Sequence, residues 1–369
     1  QIALGRFPIG DFEPFKLVKP IKPVSIIEIE FKTDGRYFAY GVEFSANGIK
    51  EEWLYEINAR SDKKIFTRKT DSDGNQFEFG DIHGDNSVGQ FVKFLGEGTP
   101  AKRSFLAEYI ERNGKGLCPI KVAYQWFATG LRIIFPGTRF RGLSFNAEQD
   151  EKFHESTRRL LQYFNTGIVD VRRFPVQSKE ETNLPERLLE KIISTATPGR
   201  TALVAAPESN ECFFFDFKED GTYTIFKQKA VHRNDSNDEV VFEMDEESDG
   251  SIRLLDFIPM LIDLSQSESD YMIDELDRSM HPLLSQKLIE CYLQQLSTER
   301  DTQLIISTHE CNLLNLDLIR ADEVWFVEKD KDGASKLVSL AEYKPRENVQ
   351  KGYFQGRYGA IPTFGELNK

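Results

Sequence analysis

The chain has 369 residues, 40% hydrophobic and 29% charged, enough for two or three domains or one elaborated core without disulfide or metal staples. Its 60 acidic against 47 basic residues leave a net charge of −13, which disfavours bulk nucleic-acid binding and leaves room for only a local basic patch. No apolar run approaches the ~20 residues of a membrane helix. The four cysteines (Cys118, Cys212, Cys291, Cys311) are scattered, and read as reduced thiols of a cytoplasmic protein.

The sequence opens at Gln1 with no initiator Met and no leader, so we expect either processing or a beginning upstream. Residues 24–68 read as an antiparallel meander: Ile27, Ile29 and Phe31 alternate with acids, Asp34-Gly35 turns, Phe38 to Phe44 alternate, Asn47-Gly48 turns, and Trp53, Tyr55 and Ile57 continue. Residues 71–100, rich in Gly, Asp and Ser, read as a long surface loop. From 101 to 200 the pattern is mostly helical, with helices around Phe105–Ile110, Phe153–Phe164 and Leu188–Ile193. Residues 211–244 return to strands, with a hairpin across Asp220-Gly221. The last third alternates: a buried helix over Leu254–Ile262, a strand Tyr271-Met272-Ile273, an amphipathic helix Leu283–Leu296, then strands Leu304-Ile305-Ile306 and Val324–Val327. That alternation implies a parallel sheet with helices packed on it.

In such a sheet, ligands bind beyond the carboxyl ends of the strands. Asp274 and Glu275 follow one strand, and Ser307, Thr308 and His309 follow the next. Adjacent acids at a strand end suit phosphoryl chemistry: one orients Mg²⁺ through its water shell and the other positions an attacking water. Upstream, Ser248, Gly250 and Arg253 lead into a helix, where a hydroxyl, close backbone amides and the helix terminus favour phosphate. An N-cap role for Ser248 or Ser251 explains the same residues. Asp277 to Pro282 turn into the next helix, with Pro282 in the favoured first position.

Taken in order, these segments resemble the ABC-type ATPase heads of the SMC and RecF class. Within it, the strings ESDGSIRLL, YMIDELDRSMHPLL and ISTHE, the tail YFQGRYGAIP, and FEPFKL through EEWLYEI are similar to AAA/ABC-type ATPases of bacterial anti-phage and abortive-infection loci, including PARIS-like systems. The resemblance implies an α/β P-loop ATPase head with an antiparallel β lobe and a helical insertion. It implies an antiparallel lobe over 1–100, the insertion over 101–200, and a signature/Walker B lobe with a tail over 201–369. It makes Asp274 the Mg²⁺ ligand, Glu275 the catalytic glutamate and His309 the switch histidine. It puts Ser248, Gly250 and Arg253 in the signature and Asp277 with Ser279 in the D-loop, all meeting ATP across a homodimer or higher oligomer. It further implies an effector such as a nuclease toxin, and a phage protein as trigger.

Two departures from the pattern stand out. Asp249 replaces the usual first glycine of the signature, and no GxxxxGK[ST] phosphate loop occurs: Gly96-Glu97-Gly98 leads to Lys102-Arg103, and Asn113-Gly114-Lys115-Gly116 lacks the hydroxyl. We expect that loop upstream of Gln1, the alternative being a pseudo-ATPase. Lys102-Arg103, Arg158-Arg159 and Arg172-Arg173 read as solvated faces before DNA contacts. The aromatic, basic tail Lys344–Arg357 reads as docked on its own head or a neighbouring subunit. His83, His154 and His232 lack metal-ligand spacing. Competing readings are a DNA-repair ATPase of the RecF type, a nucleotide-binding scaffold without turnover, and a metal-dependent nuclease using Asp330-Lys331-Asp332, which reads instead as a hairpin turn.

Overall fold

The computed structural model describes residues 1–6, 13–17, 24–177, 180–206, 209–345 and 348–361. Phe12 and Pro362, at the outer ends of two of the strings above, lie outside them. The chain forms two compact units, residues 1–132 with 319–369, and residues 133–318. These limits differ from the expected divisions at 100 and 200.

The first unit opens with the meander, β1 (Ser25–Thr33), β2 (Arg36–Ser45), β3 (Gly48–Ile57) and β4 (Lys63–Asp71), extended by β5 (Gly74–Phe79), each strand antiparallel to the one before. Asp34 and Gly35 both take positive φ (51° and 67°), the two-residue turn whose twist matches the flanking strands. The expected surface loop at 71–100 is corrected: it holds β5 and helix α1 (Asn86–Glu97). Phe77 and Phe79 alternate as a strand should, Val88, Val92 and Leu95 recur at helical spacing, and the Asp85 carboxylate caps the amides of Ser87 and Val88. The Gly, Asp and Ser that suggested a loop are the turn and the cap. Helices α2 (Phe105–Glu111) and α3 (Cys118–Gln125) follow, and a π-turn over Trp126–Gly130 ends the run.

One face of the meander buries Phe38, Tyr40, Val42, Leu54 and Phe66 against Phe105, Tyr109, Ile120 and Trp126. Phe31 stacks on Trp126 with ring centroids 4.1 Å apart. Inside this apolar layer lies a buried ion pair. Glu52 accepts the amides of Phe105 (2.7 Å) and Leu106 (3.2 Å) at the start of α2 and the Tyr40 hydroxyl (3.0 Å). Arg68 lies 3.6 Å from Glu52 and donates to the carbonyls of Arg103 (2.7 Å) and Pro100 (3.0 Å). The pair therefore docks α2 and the loop before it onto β3 and β4. Burial raises the Glu52 pKa and lowers that of Arg68, as a low-dielectric setting disfavours either charge alone.

Strand β6 (Leu131–Ile134) carries the chain into the second unit. There follow α4 (Leu143–Gln149), α5 (Glu151–Phe164), β7 (Asp170–Pro175), α6 (Glu186–Ser194), β8 (Thr201–Ala205), β9 (Cys212–Phe217), β10 (Tyr223–Arg233) and β11 (Glu239–Glu243). The expected helices at 153–164 and 188–193 are present, but β6 and β7 make the 101–200 segment less helical than predicted. Sheet order is β11-β10-β9-β8, with β7 also paired to β10. Phe213, Phe215, Phe217 and Ile225 bury one face of this sheet under Leu188, Leu189 and Ile192 of α6.

Next come α7 (Asp249–Leu264), β12 (Asp270–Ile273), α8 (Pro282–Gln295) and β13 (Gln303–Ile306). Helix α7 is buried on nearly all sides, as apolar residues all round it require, and it takes Arg253 and Asp256 inward with them. Strands β12 and β13 pair in parallel, Ile273 opposite Ile306, in a three-stranded sheet of order β13-β12-β6. Pro282 takes the first position of α8, as predicted, and His281 caps it.

The chain then returns to the first unit as β14 (Trp325–Lys329), β15 (Ser335–Ser339) and α9 (Val349–Phe354). The strand at 324–327 was expected beside β12 and β13; instead β14 pairs antiparallel with β15. The turn explains it: the Asp330 carboxylate accepts the amides of Asp332 and Ala334, and Gly333 takes φ 80°. The Asp330-Lys331-Asp332 acids thus belong to a hairpin turn, as the sequence reading held. Tyr353 and Tyr358 of the tail stack on Phe326, each at 5.6 Å. The tail is docked on this hairpin.

Arg68→Met leaves the Glu52 carboxylate buried without its countercharge. It should lower the unfolding free energy by about 3–5 kcal/mol in urea titration, whereas Lys69→Met, which breaks the exposed pair with Glu51, should leave the midpoint unmoved.

Candidate functional site

The second unit carries the site. Parallel pairing brings the segments after β12 and β13 to one sheet edge, and short hydroxyl side chains fasten them together. The Ser307 amide donates to the Ile273 carbonyl (2.9 Å), completing the ladder. Its hydroxyl then donates to Asp274 Oδ1 (2.6 Å) and accepts the Glu275 amide (2.9 Å). The Leu276 amide returns to the Ser307 carbonyl (3.1 Å). One residue on, the Thr308 hydroxyl donates to Asp277 Oδ1 (2.6 Å), which also accepts the His309 amide (3.2 Å). Asp274 and His309 are exposed, and Glu275 and Asp277 half-buried. The side chains that chemistry would use therefore face solvent from backbone that is held in place.

Glu275 takes φ 50° and Ser279 φ 62°, a left-handed conformation uncommon for these residue types. At Glu275 the bond from its amide to Ser307 helps fix that geometry. The turn that contains Ser279 closes on the start of α7. A Cβ at Gly250 would lie 2.9 Å from the Ser279 carbonyl oxygen, so only glycine permits this approach. Ser248 is the N-cap of α7, its hydroxyl accepting the Ser251 amide at 3.1 Å. The capping reading thus holds, and the amides of Asp249 and Gly250 begin the helix, where no preceding carbonyl is placed to accept them.

The structure thus brings Gly250 to Ser279, Asp274 and Glu275 to Ser307, and Asp277 to His309. Arg253 differs from the rest. It is 2% exposed, stacked on Phe257, with Nη1 directed at the carbonyls of Phe135 (3.4 Å) and Thr138 (3.3 Å) and 3.9 Å from Asp256. Asp256 also accepts the Phe140 amide (2.7 Å) and Arg139 (3.1 Å). Burial lowers the Arg253 pKa, and Asp256 acts in the opposite sense. In this conformation Arg253 ties α7 to the loop after β6 and presents no surface to a ligand.

Sequence reading gave no role to Ser307 and Thr308, the residues that lace the site. The available signal was two hydroxyl residues directly after an apolar strand, opposite acids after its neighbour. His154 and His232 each bond a carboxylate, Asp170 (3.0 Å) and Glu247 (2.5 Å). Among the described residues no group of three or more His, Cys, Asp or Glu side chains is gathered to hold a metal ion. Mg²⁺ needs no such group, since one carboxylate with phosphate oxygens and water suffices, and Asp274 offers hard oxygen at an exposed edge. Of the basic pairs, Arg103 bonds Glu108 and Glu111, Arg172 bonds Glu239, and Arg173 bonds Glu148 and Asp216. The charge of these three arginines is largely spent within the fold.

Gly250→Ala forces the turn at Ser279 away from α7. It should cost about 1–3 kcal/mol of stability by thermal or chemical unfolding.

No curated protein matches the chain. Among solved structures, it is similar to the SmcHead bound to the C-winged helix domain of ScpA (14% identity, covering 88% of this chain and 77% of that one, TM-score 0.37). It is also similar to the SMC head domain from Thermotoga maritima (10%, 83% and 74%, TM-score 0.32). A third is the Smc head domain with an extended coiled coil bound to the C-terminal domain of ScpA from Pyrococcus furiosus (13%, 92% and 81%, TM-score 0.36). The family model described as "AAA domain, putative AbiEii toxin, Type IV TA system" matches residues 132–317, half of the chain, which includes the whole of the laced site. The chain belongs to this AAA domain family.

Proposed function

We propose that the protein is an ATP-binding and hydrolysing switch whose ATP-bound form assembles and controls an effector in anti-phage defence. One observation carries the hydrolytic part: Asp274 and Glu275 leave the end of β12 beside His309 at the end of β13, with Ser307 and Thr308 fixing both backbones. Membership of the AAA family supports nucleotide as the ligand.

In this reading Glu275, its backbone left-handed and its amide held by Ser307, orients and deprotonates the attacking water. Asp274, with Oδ1 engaged by Ser307, would hold Mg²⁺, which would supply charge neutralisation for the phosphates. Asp277 sets the loop from which His309 reaches the terminal phosphate. Ser248 and Gly250, with the α7 amides, cover the nucleotide of a second protomer, making turnover depend on assembly as a homodimer or larger oligomer. The family description links the domain to a type IV toxin–antitoxin system; the effector, such as a nuclease toxin, and the phage protein as trigger rest on the sequence resemblance. Internal pairing of Arg103, Arg172 and Arg173 speaks against a DNA-repair role.

The test is phosphate release by the full-length protein with Mg²⁺ and ATP. Glu275→Gln should lower turnover by at least ~100-fold while preserving ATP-dependent self-association. A wild type that assembles with ATP but releases no phosphate would establish the scaffold instead.

A further inference from the structure

The Asp249 and Gly250 amides at the start of helix α7 have no acceptor among the described residues, and a carboxylate stands directly before its cap. Glu247 precedes Ser248, and its side chain is 7% exposed. A carboxylate so placed is drawn to the positive end of the helix, where it would take the amides of Asp249 and Gly250 from a phosphate. Here it points elsewhere. Glu247 Oε1 bonds His232 Nε2 at 2.5 Å, near the end of β10. The imidazole is itself held: its ring lies 4.6 Å from that of Phe242 on β11, and Gly167 leaves room for the Nδ1 side, where a Cβ would come within 3.3 Å. Neighbouring bonds fix the approach to the helix as well. Glu243 is paired with Lys227 and Lys229, and Asp245 accepts the Asn210 amide.

We infer that His232 is a positioning residue that holds the Glu247 carboxylate off the start of α7 and so keeps the Asp249 and Gly250 amides open to a phosphate. The inference deepens the proposed function and rests on it for the identity of the phosphate, but not for the restraint itself. It also gives the effect of losing His232 a sign: an internal competitor is released, and removing that competitor restores the open helix end.

Amide hydrogen exchange over residues 247–255 in nucleotide-free, full-length protein reads the restraint. His232→Ala should slow exchange at Asp249 and Gly250 by about fivefold, the scale of a carboxylate at a helix N-terminus. His232→Ala with Glu247→Gln should return it to the wild-type rate. His232→Gln, which retains an N–H donor toward Glu247, should match wild type. Unchanged or faster exchange at Asp249 and Gly250 in His232→Ala would overturn the inference, since the pair would then be absent or a simple brace. ATP-dependent self-association in a Glu275→Gln background supplies the second readout. His232→Ala should require more ATP and the added Glu247→Gln should require the original amount. Failure of the background protein to associate with ATP would count against the proposed function, while the exchange measurement would still decide the role of His232.

Discussion

The site depends on the parallel pairing of two short strands. With Ile273 opposite Ile306, the chain leaves β12 and β13 at the same edge and at the same height. A slip of one residue would turn each side chain to the other face, and the Ser307 hydroxyl would no longer meet both Asp274 and the Glu275 amide. Apolar burial sets this register: Tyr271 and Ile273 are buried in β12. Packing energy is thereby converted into the placement of polar groups at an exposed edge, where a carboxylate is accessible.

Buried charge has distinct uses in the two units. Glu52 and Arg68 satisfy one another together with helix amides and loop carbonyls, so their charge fastens secondary structure. Arg253 is buried with less return. Its Nη1 makes two long bonds, whereas Nε and Nη2 have no hydrogen-bond partner among the described residues. Such a guanidinium is expensive to bury, and its stacking on Phe257 and its proximity to Asp256 offset part of the cost. The resemblance that placed Arg253 at the nucleotide read the motif's spacing, whereas the helix turns that position inward.

Much of the fold was legible because alternation and helical spacing report burial directly. The meander, the Asp220-Gly221 hairpin, α5, α7 and the strands at 271–273 and 304–306 all follow from such patterns. Polar composition misled at 71–100, where Asp85 is a cap and Gly74 part of a turn, so the same residues that mark loops were punctuating β5 and α1. The strand at 324–327 was legible as a strand, but its partner was not, since pairing depends on where the chain goes next. For the site, adjacent acids and a histidine at strand ends gave the location. The bonds of Ser307, Thr308 and Asp277 were not legible, because they join residues about 30 positions apart through a register that only the folded sheet defines. The His232–Glu247 pair was hidden for the same reason.

The central claim is that the edge formed by β12 and β13 binds a metal–nucleotide complex through Asp274. Electron paramagnetic resonance of Mn²⁺, standing in for Mg²⁺, tests it most directly on the full-length protein. The account predicts Mn²⁺ uptake that requires ATP and is weakened at least ~10-fold, about 1.4 kcal/mol, by Asp274→Asn. Equal Mn²⁺–ATP binding by wild type and Asp274→Asn would contradict it.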